Sequence, residues 1–268
     1  MVEGARTAGP GTRMMKRKLS ENWKHVEQRI EDACHRAGRK RSSVKLVAIT
    51  KYASLDLVRA LVELGLPDLG ESRVQELTKR AASVAEWLNR RMLEPKAAAK
   101  HPPRWHLVGH LQRNKVKAAL PWVDLIHAVD SLRLAEEIDG QAGKLGRKQP
   151  ILLEVNAADE PGKFGVAVAA VPHLAEQVCP LPNIELRGLM AMAPLTDNVD
   201  RIRAVFERAR EIFDDMLGER VSGPAFKELS MGMSNDFEHG IEAGATYIRI
   251  GSALFEGIEL VPEPAQAD

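Results

Sequence analysis

The chain of 268 residues has only two cysteines, Cys34 and Cys179. Two thiols exclude a disulfide-built scaffold and a cysteine-rich metal cluster, and they fit a reducing, cytoplasmic setting. No apolar run approaches the roughly 20 residues that a spanning helix needs, so no membrane segment is expected. Charge of one sign is also missing: the net value is +1, which argues against a nucleic-acid protein held by bulk electrostatics. Aromatic residues make up 4%, with just two tyrosines, Tyr52 and Tyr247. The chain carries no Gly-x-Gly-x-x-Gly after its first apolar strand, no His-Glu-x-x-His and no Pro/Gly-rich linker. These absences count against an open dinucleotide-binding sheet, a zinc site and a division into several domains.

What charge there is lies unevenly. Residues 1–18 hold Arg6, Arg13, Lys16, Arg17 and Lys18 against Glu3, a balance of +4 that leaves −3 for the rest. No apolar stretch follows these charges, so residues 1–18 are expected to be a disordered basic leader rather than a signal peptide. Residues 261–268 are expected to be a tail.

From Ser20 the chain is periodic. An amphipathic helix is predicted from a Ser20 cap to Gly38, with Trp23, Val26, Ile30, Ala33 and Ala37 on one face. Apolar, branched stretches at 44–51, 67–70, 105–109, 123–129, 150–156, 184–192, 226–230 and 246–251 read as strands. Each is followed by a helical pattern, the clearest at 54–64, 74–88, 131–145 and 199–217. Strict alternation demands parallel strands covered by helices, and eight such units are the size of a closed barrel. The expected fold is therefore α/β, a single (β/α)8 TIM-type barrel over residues 19–260 with an extra N-terminal helix.

In such barrels the chemistry lies at the C-terminal ends of the strands. Lys51 ends the first apolar strand. A lysine among apolar neighbours loses hydration, which favours the neutral, nucleophilic amine suited to condensing with an aldehyde. Its ordinary alternative is a lysine reaching to solvent. Ser230-Met-Gly-Met-Ser234 is expected to follow strand seven and open a helix near Asn235, and Arg249-Ile-Gly-Ser252 follows strand eight. Small residues with free backbone N–H groups in these two loops fit a phosphate, where a single such loop would read as a helix cap. His106 and His110 are four apart, but they straddle a strand end without a nearby carboxylate, so no metal is expected. Met190, Met192, Met231 and Met233 read as core.

The sequence resembles the pyridoxal-phosphate homeostasis proteins, single-domain relatives of the barrel half of alanine racemase. The matching stretches are Val47-Ala-Ile-Thr-Lys51, Gly70-Glu-Ser-Arg-Val-Gln-Glu76, Trp105 through Lys115, Glu154-Val-Asn156 with Lys163-Phe-Gly165, Arg187-Gly-Leu-Met190, Ser230 through Asp236, and Arg249 through Phe255. They run in order from about residue 20 to 257. The resemblance implies a protein that binds pyridoxal 5'-phosphate as an internal aldimine and serves intracellular cofactor homeostasis with little turnover. It assigns the Schiff base to Lys51, the phosphate to Ser230, Ser234, Gly251 and Ser252, and the pyridine nitrogen to Arg249. Ser72 and His106 are further candidate contacts; Ser72 stands where the family commonly has Asn, and a hydroxyl offers fewer donors than an amide.

An arginine at the ring nitrogen cannot take up a proton and disfavours a pyridinium, so the ring would be a weak electron sink. Only 11 residues follow Gly257, so the second domain from which racemases supply a tyrosine base is not expected. Tyr52 would point away from Lys51 if the strand continued through it, and Tyr247 lies before the barrel mouth. The alternative readings are an amino-acid racemase and a phosphosugar enzyme in which Lys51 attacks a carbonyl. The expected partners are the cofactor and apo pyridoxal-phosphate enzymes, with no nucleic acid, no membrane and a monomeric chain.

Overall fold

The computed structural model describes residues 10–91, 101–160, 162, 164–218 and 223–260. The tail at 261–268, Lys163, residues 1–9 of the leader and 92–100 of the loop before the third strand lie outside the described residues.

The first helix begins well before its expected cap. α1 runs Pro10–Arg36, so Ser20 is interior to it and residues 10–18 are helical rather than a disordered leader. The physical reason is that the apolar stripe continues backwards. Leu19 is fully buried one turn before the Asn22–Trp23 pair, and Met15 packs against the core one turn earlier. Lys16 adds an ion pair to Glu63 of the next helix at 2.6 Å. Val26, Ile30 and Ala33 carry the stripe onward, and Gly38, at φ 64°, turns the chain away.

Eight strands then close on themselves: β1 (Lys45–Ile49), β2 (Asp68–Glu71), β3 (Arg104–Leu107), β4 (Leu125–Val129), β5 (Gln149–Asn156), β7 (Ile184–Ala191), β8 (Glu228–Met233) and β9 (Tyr247–Ile250). All pairings are parallel, and β1 joins β9 with Lys45 beside Tyr247 and Val47 beside Arg249. A two-residue strand, β6 (Val166–Ala167), attaches to the end of β5; it is too short to leave a pattern in the sequence. The (β/α)8 barrel is thus as expected from the alternation. Its covering helices are α2 (Leu55–Glu63), α3 (Val74–Arg91), α4 (Val116–Ala119), α5 (Leu132–Lys144), α6 (Val171–Val178), α7 (Val199–Gly218) and α8 (Phe237–Glu242). Ser54 caps α2 as predicted, its hydroxyl accepting from Leu57 N. The stripe Val74, Leu77, Ala81, Val84 and Leu88 faces inward from α3.

Strand side chains alternate between the helix layer and the barrel interior. Val47, Leu125, Leu152, Met190 and Tyr247 form a second, separate apolar cluster inside the barrel. Gly70 belongs to this interior: a Cβ there would stand 2.7 Å from Ile49 Cδ1 and 2.8 Å from Val47 Cγ1. Gly70→Ala should therefore overpack the barrel, with a loss of about 1–3 kcal/mol in urea unfolding; unchanged stability would show that Val47 and Ile49 yield freely.

Glu71, one residue on, points the other way and is fully buried under α3. Thr50 Oγ1 donates to it, and Arg80 Nε lies 3.1 Å away. Burial nevertheless prevails and pushes its carboxyl up from 4.5 to about 7, opposed by Arg80 and the Thr50 hydrogen bond. The folded chain thus holds a proton between about pH 4.5 and 7 that the unfolded chain has lost. This stabilising contribution is complete at the acid end and disappears as pH rises through about 7. Glu71→Gln should gain about 1–3 kcal/mol over the wild type near pH 8 and little near pH 5. An equal effect at both pH values would contradict a raised carboxyl.

Candidate functional site

One large cavity, about 820 Å³, opens at the C-terminal ends of the strands. Its walls come from the turn after β1 (Lys51, Tyr52), the loop after β7 (Met192–Asp197), the end of β8 and the residues after it (Met233–Asp236), and the end of β9 with its following turn (Arg249, Gly251, Ser252). The β1–β9 pairing is what makes the first and last of these neighbours.

β1 stops at Ile49, and residues 51–52 form a turn. Lys51 is therefore exposed rather than embedded among apolar side chains, and its Nζ lies 4.7 Å from the centre of the Tyr52 ring. The strand does not continue through Tyr52, so this tyrosine lines the same cavity as Lys51 instead of pointing away. Tyr247, in contrast, is buried inside the barrel, where Lys45 Nζ donates to its hydroxyl at 3.3 Å.

Across the cavity, two backbone donors converge on one oxygen: Gly251 N and Ala253 N donate to Ser234 Oγ at 3.1 and 3.4 Å. Ser252 is in the same turn. The expected helix at Asn235 is shorter than foreseen, Phe237–Glu242 with Asp236 before it. Asp236 accepts from Met233 N at 2.5 Å, and burial raises its carboxyl. The anion-fitting character of this wall thus rests on the converging N–H groups and hydroxyls.

Ser230 is not in this loop. The strand runs on to Met233, and Ser230 is fully buried within it, one layer below the mouth. There its Oγ accepts from Arg249 Nη1 at 2.6 Å, and Arg249 Nη2 donates to Ala191 O at 3.1 Å. Arg249 is itself buried. Burial lowers its guanidinium to about 10, with Asp236 and Glu154 pulling the other way, so it is cationic at neutral pH. Glu154, also buried and on β5, is raised to about 7 by burial, with Asp130 adding to the rise and Arg249 opposing it.

Two other candidates fall outside the cavity wall. Ser72 lies in the bend after β2, where a Cβ on Gly109 would stand 2.3 Å from its carbonyl oxygen. His106 is deep inside the barrel, its Nε2 2.9 Å from Asp68 Oδ1 and its Nδ1 2.9 Å from His127 Nε2. His110 parts from it, stacking on Phe164 at 4.2 Å with Asp130 3.4 Å away. Of the four methionines read as core, Met190 and Met231 are buried, but Met192 and Met233 are exposed at the cavity rim. His127 and Asp68 escaped the sequence reading. The available signal was a polar side chain in phase with the interior positions of an apolar strand.

The chain as a whole is similar to known proteins. The family model for the alanine racemase N-terminal domain matches residues 17–258. The pyridoxal phosphate homeostasis protein of Aquifex aeolicus is 39% identical over 235 residues, covering 88% of this chain and 96% of its own. A crystal structure of an unknown protein from Bifidobacterium adolescentis superposes with a TM-score of 0.83 at 36% identity, over 94% and 98% of the two chains. PipY of Synechococcus elongatus, solved with PLP bound, has a TM-score of 0.70 at 32% identity, over 85% and 99%. The chain belongs to the alanine racemase N-terminal domain family, among the pyridoxal phosphate homeostasis proteins.

Proposed function

We propose that this chain binds pyridoxal 5'-phosphate at the barrel mouth and holds it for the cell's cofactor supply, with little turnover of its own. One arrangement carries the reading: Lys51, the Ser234–Gly251–Ser252 donors and Arg249 share a single cavity. A primary amine, converging N–H and O–H donors and a buried cation are the groups that an aldehyde, a phosphate and a ring nitrogen require. Homeostasis proteins over nearly the whole length, and PipY with PLP bound, support the same assignment.

The cofactor supplies an aldehyde that condenses with amines and a ring that withdraws electrons. Lys51 Nζ, the exposed primary amine of the cavity, would be the group that holds the aldehyde. The Ser234 hydroxyl, its oxygen held by the Gly251 and Ala253 N–H groups, and the Ser252 hydroxyl would hold the phosphate. Arg249 presents N–H donors to the ring nitrogen, and its fixed positive charge opposes protonation there. This arrangement favours binding and amine exchange over carbanion chemistry. Delivery to apo enzymes, a monomeric chain and a cytoplasmic setting belong to the same proposal; the last accords with Cys34 and Cys179, neither of which is in a disulfide.

Racemisation is the second reading, and Tyr52 is its one favourable observation, a phenol within the same cavity. It flanks Lys51, however, and so does not supply a base on the opposite face.

Borohydride treatment of the loaded protein should fix one pyridoxyl group on Lys51, as read by peptide mapping. Lys51→Ala should abolish this mass while keeping binding through the phosphate donors, weakened by about tenfold or more. An adduct only on another lysine would reassign the site. With L-alanine or L-serine in deuterium oxide, almost no α-deuterium should enter the amino acid. Repeated turnover that disappears in Lys51→Ala would establish the racemase instead.

A further inference from the structure

Below Arg249, the barrel interior contains an unbroken line of buried polar groups that the proposed binding chemistry does not use. Arg249 Nη1 donates to Ser230 Oγ at 2.6 Å. Ser230 Oγ is 2.9 Å from His127 Nδ1, His127 Nε2 is 2.9 Å from His106 Nδ1, and His106 Nε2 is 2.9 Å from Asp68 Oδ1. Arg104 closes the far end with two bonds to the Asp68 carboxylate, at 2.6 and 2.8 Å. Five strands contribute to the line beyond Arg104: β9, β8, β4, β3 and β2. Ser230, His127, His106 and Asp68 are each at most 1% exposed, so their bonding partners are found within the barrel.

The chemistry of the two ends sets the direction of the terminal bonds. A guanidinium has donors only, and an ionised carboxylate has acceptors only. Asp68 is ionised: despite burial, its bonds to His106 and Arg104 hold it down at about 2. His106 Nε2 therefore carries a proton toward Asp68. His127 is fully enclosed, and burial, reinforced by His106 and Arg249, disfavours its charged form. A neutral imidazole has one donor and one acceptor. With His127 neutral and its Nδ1 accepting the Ser230 hydroxyl proton, its Nε2–H is the donor left for His106 Nδ1. The Ser230 lone pairs are then left facing Arg249. The groups packed around the two rings do not disturb this order: Tyr247 meets both edge to face at 5.5 and 5.7 Å, and its hydroxyl accepts from Lys45, which is itself paired with Glu228 at 2.8 Å.

We infer that Ser230, His127, His106 and Asp68 are positioning residues that act as a one-way hydrogen-bond relay to hold Arg249 in place under the cofactor ring. The relay denies the Ser230 hydroxyl its free rotation, so that it offers Arg249 an acceptor at all times. With Ala191 O as second anchor, the guanidinium keeps one orientation without a carboxylate in contact with it. The role toward the ring rests on the cofactor assignment above; the relay itself does not.

The relay is tested first on the ligand-free wild-type chain. Nitrogen-15 NMR of the histidine rings should find the His127 proton on Nε2, and the His106 proton on Nε2 facing Asp68 with Nδ1 bare. A proton on Nδ1 of either ring reverses the direction and overturns the relay. The second test uses loaded protein and compares His127→Leu with His127→Gln. Glutamine keeps an acceptor for Ser230 and a donor for His106; leucine keeps neither. Both variants should still be trapped by borohydride on Lys51. His127→Leu should bind the cofactor about tenfold more weakly and shift its visible absorption maximum, and His127→Gln should recover most of both. A leucine variant that binds and absorbs as wild type overturns the positioning role, as does a glutamine variant no better than leucine. A wild-type chain that forms no trapped adduct sinks the cofactor assignment instead, and the ring tautomers still decide the relay.

Discussion

The pairing of β1 with β9 is the constraint from which the rest follows. Until the last strand meets the first, the sheet has two open edges and its inner face is wet. Closure seals that face, and each polar side chain inside must then find a partner within the protein. It also sets Val47 beside Arg249, and so brings the turn carrying Lys51 against the turn carrying Gly251 and Ser252. The site is thus assembled from the two ends of the barrel sequence, while the strands between supply its floor.

That floor divides by depth. Near the N-terminal rim are the paired charges Lys45–Glu228 and Arg104–Asp68. The middle holds the two histidines, Ser230 and the Tyr247 ring among Val47, Leu125 and Leu152. At the top are Arg249 and Glu154, below the cavity. Burying charge is costly, and this interior meets the cost by pairing at one end and by directed hydrogen bonds toward the other. Gly70 makes room for the arrangement, since any side chain there would displace Val47 and Ile49.

Much of this was legible in the sequence. The barrel followed from alternation alone, because a buried parallel strand is largely apolar and its crossover must be amphipathic. Lys51 stood out because charge ended an apolar run. The limits have equally physical causes. The reach of α1 was misjudged because a basic surface disguised the stripe through Met15 and Leu19, and high charge density on one face does not prevent a helix from packing with the other. Ser230 was counted with the loop because the strand was expected to end there, whereas it runs on to Met233. Tyr52 was sent to the wrong side because period-two alternation holds only while the strand lasts, and β1 ends at Ile49. His127 was invisible for a different reason: one polar residue in an apolar strand acquires meaning only when closure sets Ser230 and His106 on either side.

Lys51 and Arg249 represent opposite solutions within one cavity. Lys51 is exposed on a turn; Arg249 is buried and anchored on both of its terminal nitrogens. In the proposed function this division has a consequence. Recognition through Arg249 and the phosphate donors is preorganised and loses little entropy when the cofactor arrives. The covalent link, in contrast, is made at a position open to solvent, where another amine can approach and displace the lysine. An enzyme built for carbanion chemistry gains by enclosing its lysine and protonating its ring. A protein that must bind firmly and still give up its cargo gains from a rigid floor, an uncooperative ring partner and an accessible amine, and this barrel combines all three.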